Sequence, residues 1–111
     1  VRDEGVVVRL RGSVAGGPDA ARFYDALRAI RAEGHSHVVL DLSGVTRMDG
    51  AGLGVLVGGL ALVRNAGGEM YWAALPDHVH SLLVITRLHA ALPCFDSVAE
   101  ALEARSVAPS P

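Results

Sequence analysis

Asp49 stands directly before a run of small residues, Gly50-Ala51-Gly52-Leu53-Gly54, and the run leads into a long apolar stretch. A carboxylate at that place has one obvious chemistry. The first amides of a helix have no partner inside the helix, and an aspartate just ahead of them is long enough to accept a hydrogen bond. Here the amides in reach are those of Ala51 or Gly52. The positive end of a helix also attracts anions, phosphate included. The glycine run lacks a Gly-Lys-Ser/Thr ending, however, so it is a weak phosphate cradle. Asp49 is expected to occupy the helix start itself.

Other reactive residue types do not assemble into a site. The five histidines are His35, His37, His78, His80 and His89. His35 and His37 alternate at a strand entry, whereas His78 and His80 lie two apart on an expected helix and diverge. No His, Cys or acidic cluster has zinc-like spacing, so no metal is expected. No Ser-His-Asp arrangement or nucleophile elbow can be built, so no catalytic residue is assigned and no enzyme is expected. Cys94 is the single cysteine, set between Pro93 and Phe95, and reads as a small hydrophobe that excludes an internal disulfide. A net charge of −2 argues against a nucleic-acid partner. The longest uncharged apolar run, Gly50 to Val63, is shorter than the roughly 20 residues a membrane span needs. A cytoplasmic protein with no cofactor and no direct membrane insertion is the expectation. The opening Val1-Arg2-Asp3-Glu4-Gly5 shows no signal peptide, and the absence of methionine there suggests a natural start further upstream.

The elements that would hold Asp49 in place follow from periodicity. Val6, Val7, Val8 and Leu10 predict a strand ending at Gly12, followed by a loop from Ser13 to Pro18. A helix over about 19–33 opens at Asp19, carries Phe23, Leu27 and Ile30 inward, and stops at Gly34. Val38 to Leu42 is the second strand, expected at the centre of the sheet, and Ser43 to Asp49 reads as a loop. Further helices are expected over 51–66, 76–88 and 97–105. Pro76 would be the first residue of the third, and Ser97 and Glu100 a capping box for the last. Glu69 to Ala74 and the short edge segment Pro93-Cys94-Phe95 complete the strands. The expectation is one α/β domain over 1–105 with a flexible tail over 106–111. Its sheet would have four to five strands, mixed but mostly parallel, with about four α-helices.

Several segments together carry a resemblance. The strand ending Asp41-Leu42-Ser43, the short connection, and Asp49-Gly50-Ala51-Gly52-Leu53-Gly54 come first. Ala66-Gly67-Gly68-Glu69-Met70, Ile85-Thr86-Arg87-Leu88 and Phe95-Asp96-Ser97-Val98 with Ala101-Leu102 follow in order. The chain resembles the STAS family of anti-sigma factor antagonists over roughly Val6 to Ala104. The resemblance implies a bacterial signalling module for transcription regulation. It would bind an anti-sigma factor, a serine kinase of that type, or another regulatory protein. In the family pattern Asp-Ser-Ser-Gly, the second serine accepts phosphate from the partner, and phosphorylation ends the interaction. Gly50 and Ala51 stand at the two serine positions, so no phosphorylation is expected there. An acidic pair that the family often carries after its first strand is replaced by Gly12-Ser13-Val14-Ala15. The same fold also serves as an accessory subunit of membrane transporters, as a stressosome-like scaffold, and as a nucleotide-binding module. These remain alternatives.

The expected partner-binding surface comprises Asp49, Gly50, Ala51, Gly52, Gly54, Val55 and Gly58. Leu53, Leu56, Val57, Leu60 and Val63 form the core face of the second helix. Its other side holds Gly54, Val55, Gly58, Gly59 and Leu62 without a charge, and interior glycines cost roughly 1 kcal/mol each relative to alanine. Two readings are open: a docking face or homodimer seam, or close packing within the domain.

Overall fold

The computed structural model describes residues 5–15 and 18–106. Strands and helices alternate: β1 (Val6–Val14), α1 (Pro18–Ala32), β2 (His37–Met48), α2 (Gly50–Asn65), β3 (Glu69–Ala73), α3 (Asp77–Ile85), β4 (Cys94–Phe95) and α4 (Val98–Ser106). The sheet order is β1-β2-β3-β4, and each neighbouring pair is parallel. Each strand thus pairs with its predecessor through one crossover helix. Right-handed crossovers in a constant direction put successive helices on the same face.

The packing follows that rule. Leu27 of α1, Leu53, Leu56 and Leu60 of α2, and Val79 and Leu83 of α3 join one cluster with Val38, Leu40, Leu42, Met70 and Trp72 of the sheet. On the opposite face α4 is the one helix that packs there among the described residues. Ala101 is buried there with Val39 and Ala73, and Val7, Tyr71, Phe95, Val98 and Leu102 pack around them.

Four expectations need correction. The sheet is not mixed among the described residues; its four strands are all parallel. Ser43 to Met48 is not a loop but the second half of β2. Pairing with β1 continues through Arg11↔Gly44, Gly12↔Val45, Ser13↔Arg47 and Val14↔Met48, so the expected loop from Ser13 also begins as strand. Two register shifts insert extra residues into β2, one before Gly44 and one before Arg47. Such bulges change the burial period locally. Here Leu42, Val45 and Met48 are buried while the residues between them are exposed. Third, Pro76 is the N-cap of α3 rather than its first residue, and the helix ends at Ile85, with Thr86 as its C-cap and Arg87 at φ +62° turning the chain away. Fourth, α4 runs through Ser106, one residue into the expected tail. The rest of that tail, 107–111, and Gly16-Gly17 lie outside the described residues, as does the side chain of Asp19.

Ends and turns follow local chemistry. Gly67 has φ +87°, which glycine adopts without a Cβ penalty, and its amide donates to the Arg64 carbonyl at 3.0 Å. The Ser97 hydroxyl accepts from the Glu100 amide at 3.1 Å, while the Glu100 carboxylate reaches back to the Asp96 amide at 3.3 Å. The capping box is therefore displaced by one residue from its usual return bond.

Candidate functional site

The C-terminal ends of β1 and β2 and the first turn of α2 meet at one end of the sheet, where parallel α/β sheets place their sites. Asp49 leaves β2 in an extended conformation, with φ −106° and ψ −177°. Its Oδ1 accepts from the Gly52 amide at 2.7 Å, and its own carbonyl accepts from the Leu53 amide at 2.9 Å. The carboxylate therefore supplies a helix-start acceptor from within the chain. Of the two amides in reach, it takes that of Gly52.

Gly52 is buried against the end of β1. A Cβ there would overlap the Val14 carbonyl oxygen and would come 3.2 Å from the Ala15 amide nitrogen. Only glycine lets the two backbones approach this closely. Asp49, Gly50, Ala51 and Gly54 are exposed around this contact, and Val55 is half-buried. Among the described residues the surface is thus small, nearly free of side chains, and flanked by the Asp49 carboxylate.

Gly58 departs from the rest of the expected set. The Tyr24 hydroxyl lies over it and donates to the Val55 carbonyl at 3.0 Å. Phe23 covers Gly59, its Cε2 2.5 Å from where a Cβ would stand. Close packing within the chain therefore accounts for these two glycines, and α1 covers that flank of α2. Gly54 has nothing within 4 Å of a Cβ position and remains on the open side. Tyr24 is not marked by the period of the sequence, because the inward stripe of α1 is complete with Phe23, Leu27 and Ile30. The paired aromatics beside a glycine-rich helix were the available signal.

The remaining candidates are scattered. Ser43 and Thr46, the nearest hydroxyls to the helix start, are exposed on β2, and the Ser43 amide donates to Asp41 Oδ1 at 3.0 Å. His37 stacks on Tyr71 with ring centroids 6.3 Å apart, and its Nδ1 lies 3.1 Å from Ser36 Oγ. His78, His80 and His89 are exposed. Among the described residues, no three His, Cys, Asp or Glu side chains come together as a metal site. Cys94 is half-buried beside the large core, and burial pushes its thiol pKa up, away from the reactive thiolate. No helix among the described residues is long and apolar enough to cross a membrane.

Comparison with known proteins places this geometry. The family model described as "Mlab, STAS domain" matches residues 1–93. An anti-sigma F factor antagonist from Paenibacillus polymyxa is 36% identical over 74 residues, which is 67% of this chain and 63% of that protein. The chain thus spans less than two thirds of the length of the curated relatives it matches. A sulfate transporter family protein from Wolinella succinogenes superposes with a TM-score of 0.80 at 20% identity, covering 96% of this chain and 88% of the other. The Bacillus cell fate determinant SpoIIAA, in its phosphorylated form, gives 0.68 at 16% identity, covering 93% and 92%. At those identities the two superpositions establish the shared fold. Together with the four-stranded sheet, the family-model match over most of the length makes the chain a member of the STAS domain family.

Proposed function

We propose that this domain is a protein-binding regulatory module of the anti-sigma factor antagonist type, and that it docks its partner through Asp49, Gly50, Ala51, Gly52 and Gly54, with Val55 at the margin. One observation carries the reading: the start of α2 is exposed and nearly bare, yet it is fixed by the Asp49–Gly52 hydrogen bond and by the contact between Gly52 and Val14. A rigid, uncluttered helix start suits docking without an ordering cost. Ala51 offers no hydroxyl at the second serine position of the family pattern, so this partner contact is not switched by phosphate there. Binding is constitutive and set by abundance.

The test mixes wild type and Ala51→Ser with a serine kinase of the anti-sigma type and ATP, and follows phosphate incorporation and complex lifetime. Wild type is expected to bind and persist unmodified, whereas Ala51→Ser accepts phosphate and is released. Modification of wild type at Ser43 or Thr46 with loss of the complex overturns the constitutive reading. A second reading, an accessory subunit of a membrane transporter, draws on Ser13 and Ala15 at the end of β1, which stand where the family pattern often carries an acidic pair. Stable co-purification with an ATPase subunit, and no binding to the kinase, decides for it.

A further inference from the structure

We infer that the C-terminal half of the β1–β2 ribbon is a docking surface for an extended acidic segment of a protein partner, laid across Arg9, Arg11 and Arg47. The inference rests on the protein-binding reading above and specifies the chemistry of that partner. Residues in register on paired strands share a face. Four pairs therefore form a row: Val7·Val39, Arg9·Asp41, Arg11·Gly44 and Ser13·Arg47. The first pair packs with the α4 cluster, but the apolar cluster includes none of the other three. Beyond it the sheet face is polar and open, with Arg9, Arg11, Ser13, Ser43, Gly44 and Arg47 all exposed.

The charge on this face is one-sided. Arg9 lies 3.7 Å from Asp41 and keeps 71% of its side chain exposed. Asp41 also accepts from the Ser43 amide. Neither Arg11 nor Arg47 forms an ion pair among the described residues. Among the described residues three guanidinium groups thus face one carboxylate, in a chain whose net charge is −2. The arginines are also partly organised. Gly44 leaves room for the Arg11 stem, since a Cβ at Gly44 would come within 3.0 Å of Arg11 Cγ. A cleft of about 230 Å³ opens there, bounded by Arg9, Arg11, Asp41 and Ser43.

This arrangement fits carboxylates on an extended chain. Alternate residues of a strand repeat every ~6.7 Å, so Arg9 and Arg11 match acidic side chains at alternate positions of a second strand. Guanidinium groups bind carboxylates in two-point geometry, and the exposed serines supply further donors. Three arginines are few for nucleic acid, where about 6–10 phosphate contacts are usual in tight complexes. Arg47 lies two residues ahead of Asp49, so an acidic segment here would run toward the start of α2.

The test uses the full chain, isotope-labelled, titrated with a ten-residue peptide of alternating glutamate and serine. Amide shifts are expected at Arg9, Arg11, Ser13, Ser43 and Arg47, with affinity falling as salt rises. The double variant Arg11→Glu/Arg47→Glu should weaken binding by about tenfold or more. Arg11→Gln/Arg47→Gln, at exposed positions, gives the same direction if charge reversal upsets folding. Unchanged affinity in both variants, or shifts confined to α2, overturns the inference. So does tighter binding of single-stranded DNA of equal charge through the same residues, which makes the surface one for nucleic acid. Peptide titration reads the ribbon alone. Its failure leaves the kinase experiment standing, and failure of the kinase experiment leaves this result intact.

Discussion

The two faces of the sheet are built from the same strands but answer to different covers. One face lies under α1, α2 and α3 and buries Leu40, Leu42, Met70 and Trp72 completely. The other lies under α4, which protects only Val39, Ala73 and Ala101 fully. The first face holds the structure together. The second has a dry half under α4 and a wet half bearing arginines. A parallel sheet with both faces covered reads as continuous apolar runs. Here Val38-Val39-Leu40 is such a run, and the change to Asp41 and beyond marks where the second cover ends.

Unequal covers predict unequal costs. Leu40→Ala, beneath the three helices, should destabilise by about 2–5 kcal/mol in urea unfolding. Leu102→Ala, half-buried on α4, should lose about 1 kcal/mol. Equal losses would break the comparison, because they would mean that α4 seals its face as tightly as the three helices do. At the end of the sheet, Gly52→Ala forces a methyl group into the Val14 carbonyl and should cost about 1–3 kcal/mol. Gly54→Ala, two residues on and facing the open side, should be neutral or stabilising by up to about 1 kcal/mol. Thermal melting of the pair checks both signs at once. If Gly52→Ala also melts like wild type, the ends of β1 and α2 are not fastened together.

Two smaller effects sharpen the picture. Asp49→Ala removes the acceptor for the Gly52 amide and should cost about 1 kcal/mol by denaturant titration, as should Ser97→Ala at the start of α4. A larger loss at Asp49 would show that the start of α2, whose cap bond is partly buried, depends on its cap more than the start of α4 does, whose cap bond is exposed. The smallest effect concerns Cys94. Its folded pKa is raised by burial, so the unfolded thiol ionises first as pH climbs and unfolding then releases a proton. This contribution is fully present at neutral pH and is lost as pH rises into the alkaline range. Cys94→Ala should flatten that decline, and alkylation of the native thiol at mildly alkaline pH should lag behind that of the unfolded chain.

Most of this architecture was legible because period and punctuation agreed. Gly34 and Gly67 end their helices, Ser97 opens α4, and Asp49 caps α2 as its residue type demands. Ser43 to Met48 was not legible. Its buried residues recur every third position, at Leu42, Val45 and Met48, which matches neither the strand period nor the helix period. That spacing arises from two bulges, and a bulge depends on the partner strand as much as on local sequence. The same blindness hid the arginine row, since Arg47 joins Arg9 and Arg11 only once the register is known. The glycines of α2 were ambiguous for a related reason. Whether Gly58 and Gly59 await a second chain or an aromatic residue from α1 depends on a contact across more than 30 residues of sequence.

The single-helix cover has a consequence for how the chain emerges during synthesis. The four strands and the three helices on the first face all precede Ser97, so the large core can close while α4 is still inside the ribosome. Until then Val39, Tyr71 and Phe95 lack the cover of α4. For that interval the nascent domain presents a sticky strip of parallel strands, the kind of surface that chaperones hold and that crowded chains exchange. Any shortened version ending before Ser97 would keep the strip permanently. It should be recovered from cells as aggregate even though its larger core is complete.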